Sequence, residues 1–107
     1  MNVSKLLSLA KREIKKYKAT GHGEYLIQAS EKVWLAYVLK LEKITGKDIR
    51  TKKGVQMQSW NLIKRRKLSY DLYKDVTFLH SYHYEGKADD EIVIKTINSC
   101  IRRIKRL

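Results

Sequence analysis

Only glycine can readily break a helix in this chain of 107 residues, because proline is absent and glycine occurs just five times. An antiparallel β protein of this length needs a turn every few residues, and glycine and proline supply most of them. The apolar residues instead recur at steps of three and four. Val3, Leu6, Leu7, Ala10, Ile14 and Tyr17 share one helical face, with Lys11, Arg12, Lys15, Lys16 and Lys18 opposite. Gly21-His22-Gly23 closes that first helix. A second runs from about Glu24 to Thr45, with Gly46 as its stop. It carries two apolar stripes, Leu26-Ala29-Val33-Ala36 and Ile27-Trp34-Val38-Leu41. An apolar arc that wide belongs to a central helix touching several neighbours.

Residues 47–54 are polar and basic and read as a loop. Met57, Trp60 and Ile63 fit one short helical face without a clear cap, and Lys64-Arg65-Arg66-Lys67 breaks the pattern at a turn. Leu72, Val76 and Leu79 set the apolar direction of a helix over 68–85, stopped by Gly86. Asp89-Asp90-Glu91 opens a last helix where negative charge complements its dipole. Val93, Ile97, Cys100, Ile104 and Leu107 form its stripe. The expected fold is all-α: an up-down antiparallel bundle of four long helices plus one short helix, a single domain over 1–107. The width of the second helix, with Trp34 and Tyr37 large upon it, also predicts a symmetric homodimer.

The charge narrows the function classes. Lys and Arg total 24 against 11 acidic residues, a formal net charge of +13. Residues 50–67 hold Arg50, Lys52, Lys53, Lys64, Arg65, Arg66 and Lys67 without an acid, and 92–107 hold Lys95, Arg102, Arg103, Lys105 and Arg106 likewise. Such a surface attracts phosphate backbones, or it simply keeps a small protein soluble. The nucleic-acid contacts are assigned to Lys52, Lys53, Lys64, Arg65, Arg66, Lys67, Arg102, Arg103 and Arg106. Trp60, Tyr70 and Tyr73 lie beside the first cluster and can stack on exposed bases, but aromatic residues at helical spacing are more often core. One cysteine excludes an internal disulfide framework and a multi-cysteine metal site. Neither a membrane span nor the apolar core of a signal peptide is read, so a cytoplasmic protein is expected.

The densest chemistry-bearing group is Tyr73, Thr77, His80, His83 and Tyr84. At about 100° per residue, His83 falls in the middle of the apolar direction and His80 on its edge, flanked by Tyr73, Thr77 and Tyr84. A half-buried histidine among hydroxyls can act as a general base, or it can be a packing residue. No third ligand accompanies His80 and His83, so no metal and no cofactor is expected.

Two stretches carry a family resemblance. Residues 25–34, Tyr-Leu-Ile-Gln-Ala-Ser-Glu-Lys-Val-Trp, resemble the second-helix motif of archaeal PaREP-type paralogue families, members of the HEPN superfamily of helical bundles. Residues 79–86, Leu-His-Ser-Tyr-His-Tyr-Glu-Gly, resemble their Leu-His-x-Asn-Phe-Tyr-Glu-Gly motif. Leu79, His80, Tyr84, Glu85 and Gly86 match, while Tyr82 replaces Asn and His83 replaces Phe. The resemblance spans roughly residues 3–107 and implies an HEPN-like bundle of about five helices that often dimerises. Many superfamily members are ribonucleases or toxins that use an Arg, four to six residues, then a His, completed across a dimer. His80 takes the place of that His. Lys74-Asp75 stands where the Arg and a polar residue would be, and Lys74 lies about 120° from His80 around the helix. Arg65 or Arg66 can replace the Arg only through a turn or a second subunit. The leading expectation is therefore a non-catalytic, RNA-associated module. The alternatives are a metal-independent ribonuclease using His80, with Lys74 and Tyr84 as lesser members, and a protein-binding module, for instance for a nucleotidyltransferase-type partner.

Overall fold

The computed structural model describes residues 2–49 and 51–107; Arg50, counted above with the first basic cluster, lies outside them. The described residues form five helices and no strand: α1 (Val3–Thr20), α2 (Glu24–Thr45), α3 (Lys52–Lys64), α4 (Tyr70–Glu85) and α5 (Asp90–Arg106). Three of them end on a glycine in the left-handed conformation, Gly21, Gly46 and Gly86, whose N–H returns to the last turn of its helix.

α2 is the central helix, as its wide arc predicts, and packs on each of the other four. Val33, Ala36, Tyr37 and Leu41 of α2 are fully buried, with Leu7 and Ala10 of α1, Val76 and Leu79 of α4, and Val93, Ile97 and Ile104 of α5. Trp34 and Tyr37 are both enclosed within the one chain. These two side chains therefore need no second copy to cover them. The Tyr17 hydroxyl donates to the Asp90 carboxylate, tying the end of α1 to the start of α5.

Two boundaries differ from expectation. Lys52, Lys53 and Gly54 are helical, not loop, because Thr51 caps α3: its Oγ1 accepts the Gly54 N–H at 2.9 Å. Position 54 is glycine rather than the Glu or Gln of a capping box, which hides this start in the sequence. The loop before it is anchored by buried Ile49, whose N–H donates to Glu42 Oε2 at 2.7 Å. α4 starts at Tyr70 rather than Leu68, because Ser69 is extended and its hydroxyl accepts the Leu72 N–H. Leu68 remains buried ahead of the helix.

α3 ends on a Schellman turn. Arg66 N–H reaches the Ile63 carbonyl and Lys67 N–H the Leu62 carbonyl. The left-handed position of that turn, normally glycine, is Arg66 at φ 59°, the only non-glycine with positive φ among the described residues. Inside, the Tyr37 hydroxyl and Ser59 Oγ meet at 2.7 Å, both residues fully buried, and join α2 to α3.

Candidate functional site

α2, the loop before α3, the start of α3 and the end of α4 enclose a groove of about 600 Å³. His80 and Tyr84 of α4 line it, with Glu31, Trp34 and Glu42 of α2, Asp48, and Lys52 of α3. The His80 ring stacks on Trp34, centroids 4.2 Å apart and planes 20° apart, and meets Tyr84 edge-on at 5.0 Å. Its Nδ1 is buried and has no hydrogen-bond partner among the described residues. Burial, then the positive charge of Lys52, then His83, hold the imidazole below its ordinary pKa. His80 is thus a half-buried, neutral ring with a cation in the same groove.

His83 departs from its predicted burial. It is half-exposed, and Tyr82 occupies the interior instead. At this end of α4 the apolar stripe ends against polar groups of α2. With Nδ1 protonated, His83 donates to the Ile27 carbonyl at 3.4 Å. Its Nε2 lies 3.6 Å from the Glu31 carboxylate, too far for a hydrogen bond but close enough for attraction. Burial raises the Glu31 pKa, and His83 partly opposes this.

The other members of the predicted group sort clearly. Tyr84 stands at the rim, exposed. The Thr77 hydroxyl is spent on the Tyr73 carbonyl of its own helix. Lys74 is exposed on α4 and does not line the groove. Sequence reasoning missed Glu31 and Trp34 as companions of His80, and it placed Lys52 with the basic loop only. The one available signal was Glu31 standing between Ser30 and Val33 inside the α2 motif. Among the described residues no three His, Cys, Asp or Glu side chains converge to hold a metal ion.

The basic residues fall on separate surfaces. Lys52, Lys53, Lys64, Arg65, Arg66 and Lys67 are all exposed, on α3 or the turn after it. Arg65 shares a small cleft with Lys47. Arg102 and Arg106 are exposed on α5. Arg103 is not a free surface cation: its Nη2 donates to Asp75 Oδ2 at 2.5 Å, and its Nε to the Ser99 carbonyl. The end of α5 joins lysines that are remote in sequence, as Lys105 lines a groove with Lys40 and Lys43 and lowers the Lys11 pKa.

Trp60 and Tyr70 depart from the core expectation, whereas Tyr73 packs against the core. Trp60 is 40% exposed, Tyr70 49% and neighbouring Met57 53%, while Tyr73 is half-buried behind them. Trp60 lies 5.7 Å from Tyr70 and 6.1 Å from Tyr73 between ring centroids.

No family model, no curated protein and no solved structure matches the chain. No helix among the described residues is long and apolar enough to cross a membrane.

Proposed function

We propose that this chain is a non-catalytic nucleic-acid-binding module, an HEPN-like up-down bundle acting on RNA in the cytoplasm. The carrying observation is the exposed run of cations on α3 and its C-terminal turn, from Thr51 to Tyr70, with no acid among them. Arg66 strengthens it. An L-residue in the left-handed conformation is strained by about 1–2 kcal/mol where glycine is not. The turn carries that strain with an exposed arginine where glycine would relieve it. Strain retained at an exposed, charged position supports a binding role over mere solubility.

The kinship reading rests on the two sequence motifs, which lie on α2 and at the end of α4. Dimerisation and a nucleotidyltransferase-type partner come from that resemblance alone. Sedimentation at high micromolar concentration tests the dimer, and a monomer refutes it. No cofactor is required.

The test of function is salt dependence. Phosphate contacts make log affinity fall with log salt at about 0.9 per contact for duplex and about 0.7 for single strands. Replacing Lys64, Arg65, Arg66 and Lys67 with Gln should flatten that slope. Unchanged binding overturns the reading. One observation favours a second reading, a metal-independent ribonuclease: His80 and Lys52 share a groove, which supplies the cation that Lys74 cannot. Cleavage of mixed RNA without divalent metal, lost in His80→Ala, would establish that reading against the non-catalytic one.

A further inference from the structure

On α3, Lys53, Met57, Trp60 and Lys64 fall within an arc of about 60° at 100° per residue. They lie opposite Val55, Ser59 and Leu62, which α3 buries. Tyr70, at the start of α4, extends this face beside Trp60. We infer that this face is a stacking platform for unpaired nucleotide bases, with Trp60 and Tyr70 as the stacking rings and Lys53 and Lys64 as the phosphate contacts at either end. The inference rests on the nucleic-acid reading above and narrows it to single-stranded RNA.

Large apolar side chains exposed singly are ordinary, but three in one patch mark a contact surface. The occupant follows from what surrounds them. Lys53 and Lys64 are eleven residues apart on one helix, about 16 Å along its axis, with Met57 and Trp60 between them. A strand crossing there meets a cation, a ring and a second cation in turn. Half-buried Tyr73 lies beside Trp60, with ring centroids 6.1 Å apart, and a neighbour on one side narrows the ring's freedom and so the entropy lost on stacking. A second copy of the chain fits poorly. An isologous contact sets this face against itself, and α3 has no acidic residue to meet the opposing lysines. A duplex fits poorly too, because its base faces are already stacked inside the helix.

The experiment is fluorescence anisotropy of a labelled oligouridine, alone and annealed to oligoadenosine, with the full chain at fixed salt. Trp60→Ala should weaken binding of the single strand on the order of tenfold, with an unchanged salt slope, since no phosphate contact is removed. Trp60→Phe should keep most of the affinity, and duplex binding should not respond to either change. Trp60 is exposed, and Trp60→Phe controls for folding. Equal affinity of Trp60→Ala and parent for the single strand, with the lysine variants weakened, overturns the platform and leaves the nucleic-acid reading standing. Absence of salt-dependent binding to either RNA overturns both. A fall in sedimentation mass for Trp60→Ala without loss of RNA affinity assigns the face to a second copy and also overturns the platform.

Discussion

The hydroxyl pair Tyr37–Ser59 offers a sharp test, because its two halves should fail unequally. Both residues are fully buried, and their oxygens lie 2.7 Å apart. Burial also holds the Tyr37 phenol well above the ordinary tyrosine range, as a neutral hydrogen-bonding group. Tyr37→Phe leaves Ser59 Oγ without its partner. A serine within a helix can turn back to the carbonyl four residues earlier, as Ser30 does to Leu26 at 2.9 Å. Ser59 has the Val55 carbonyl for this, so the cost should stay near 1 kcal/mol. Ser59→Ala leaves the Tyr37 hydroxyl at the end of a rigid ring with no such escape. The full desolvation penalty applies, about 2–3 kcal/mol. The double variant removes both polar groups and should be less damaged than the sum, with a coupling of at least about 1 kcal/mol. Thermal unfolding by circular dichroism reads this, at roughly 4–8 °C per kcal/mol for a domain of this size. Additive losses, or a larger loss for Tyr37→Phe, would refute the reasoning. Because this bond joins α3 to α2, Ser59→Ala should also weaken RNA binding without removing a contact residue.

Four further outcomes follow from described geometry. The His80 pKa is lowered from 6.5, so below that value the unfolded chain takes up a proton that the folded chain resists. Stability should therefore fall as pH drops from about 6.5 through the folded value, and His80→Gln should flatten that limb in melts between pH 7.5 and 5.5. Arg66→Gly should raise the melting temperature, by about 1 kcal/mol of relieved strain, while weakening RNA binding. Arg103→Gln should leave the salt slope of RNA binding unchanged, since Asp75 already neutralises that charge; a flattened slope would show Arg103 to be a contact. Cys100 is fully buried, and burial pushes its thiol up to about 12. Its reaction with a thiol reagent at neutral pH should be at least a thousandfold slower in the native than in the unfolded protein, on the order expected from thiolate fraction alone.

The central position of α2 was legible because its stripes and its terminal Gly46 are local signals. The start of α3 was not, because Thr51 caps without the Glu or Gln that usually announces a cap. For the aromatic residues, periodicity marked Met57, Trp60 and Ile63 as one face. The inward direction of α3 is instead set by Val55, Ser59 and Leu62, so a serine outranks a tryptophan. Nothing local reports that inversion, because it depends on Tyr37 offering Ser59 a partner from α2. The His80 site was half legible. Its helix and its edge position follow from spacing, but Trp34, Glu31 and Lys52 reach it across the bundle. The same long-range pairing removes Arg103 from the free cations through an aspartate on another helix.

The face-to-face contact between His80 and Trp34 gives the molecule an internal optical gauge. A protonated imidazole against an indole quenches its emission, whereas a neutral one quenches far less. Trp34 is therefore placed to brighten and dim with the proton on His80, and with anything in the groove that moves that proton. Once Trp60 is replaced by Phe, Trp34 is the one indole left in the chain, and its emission is readable in dilute solution without a label.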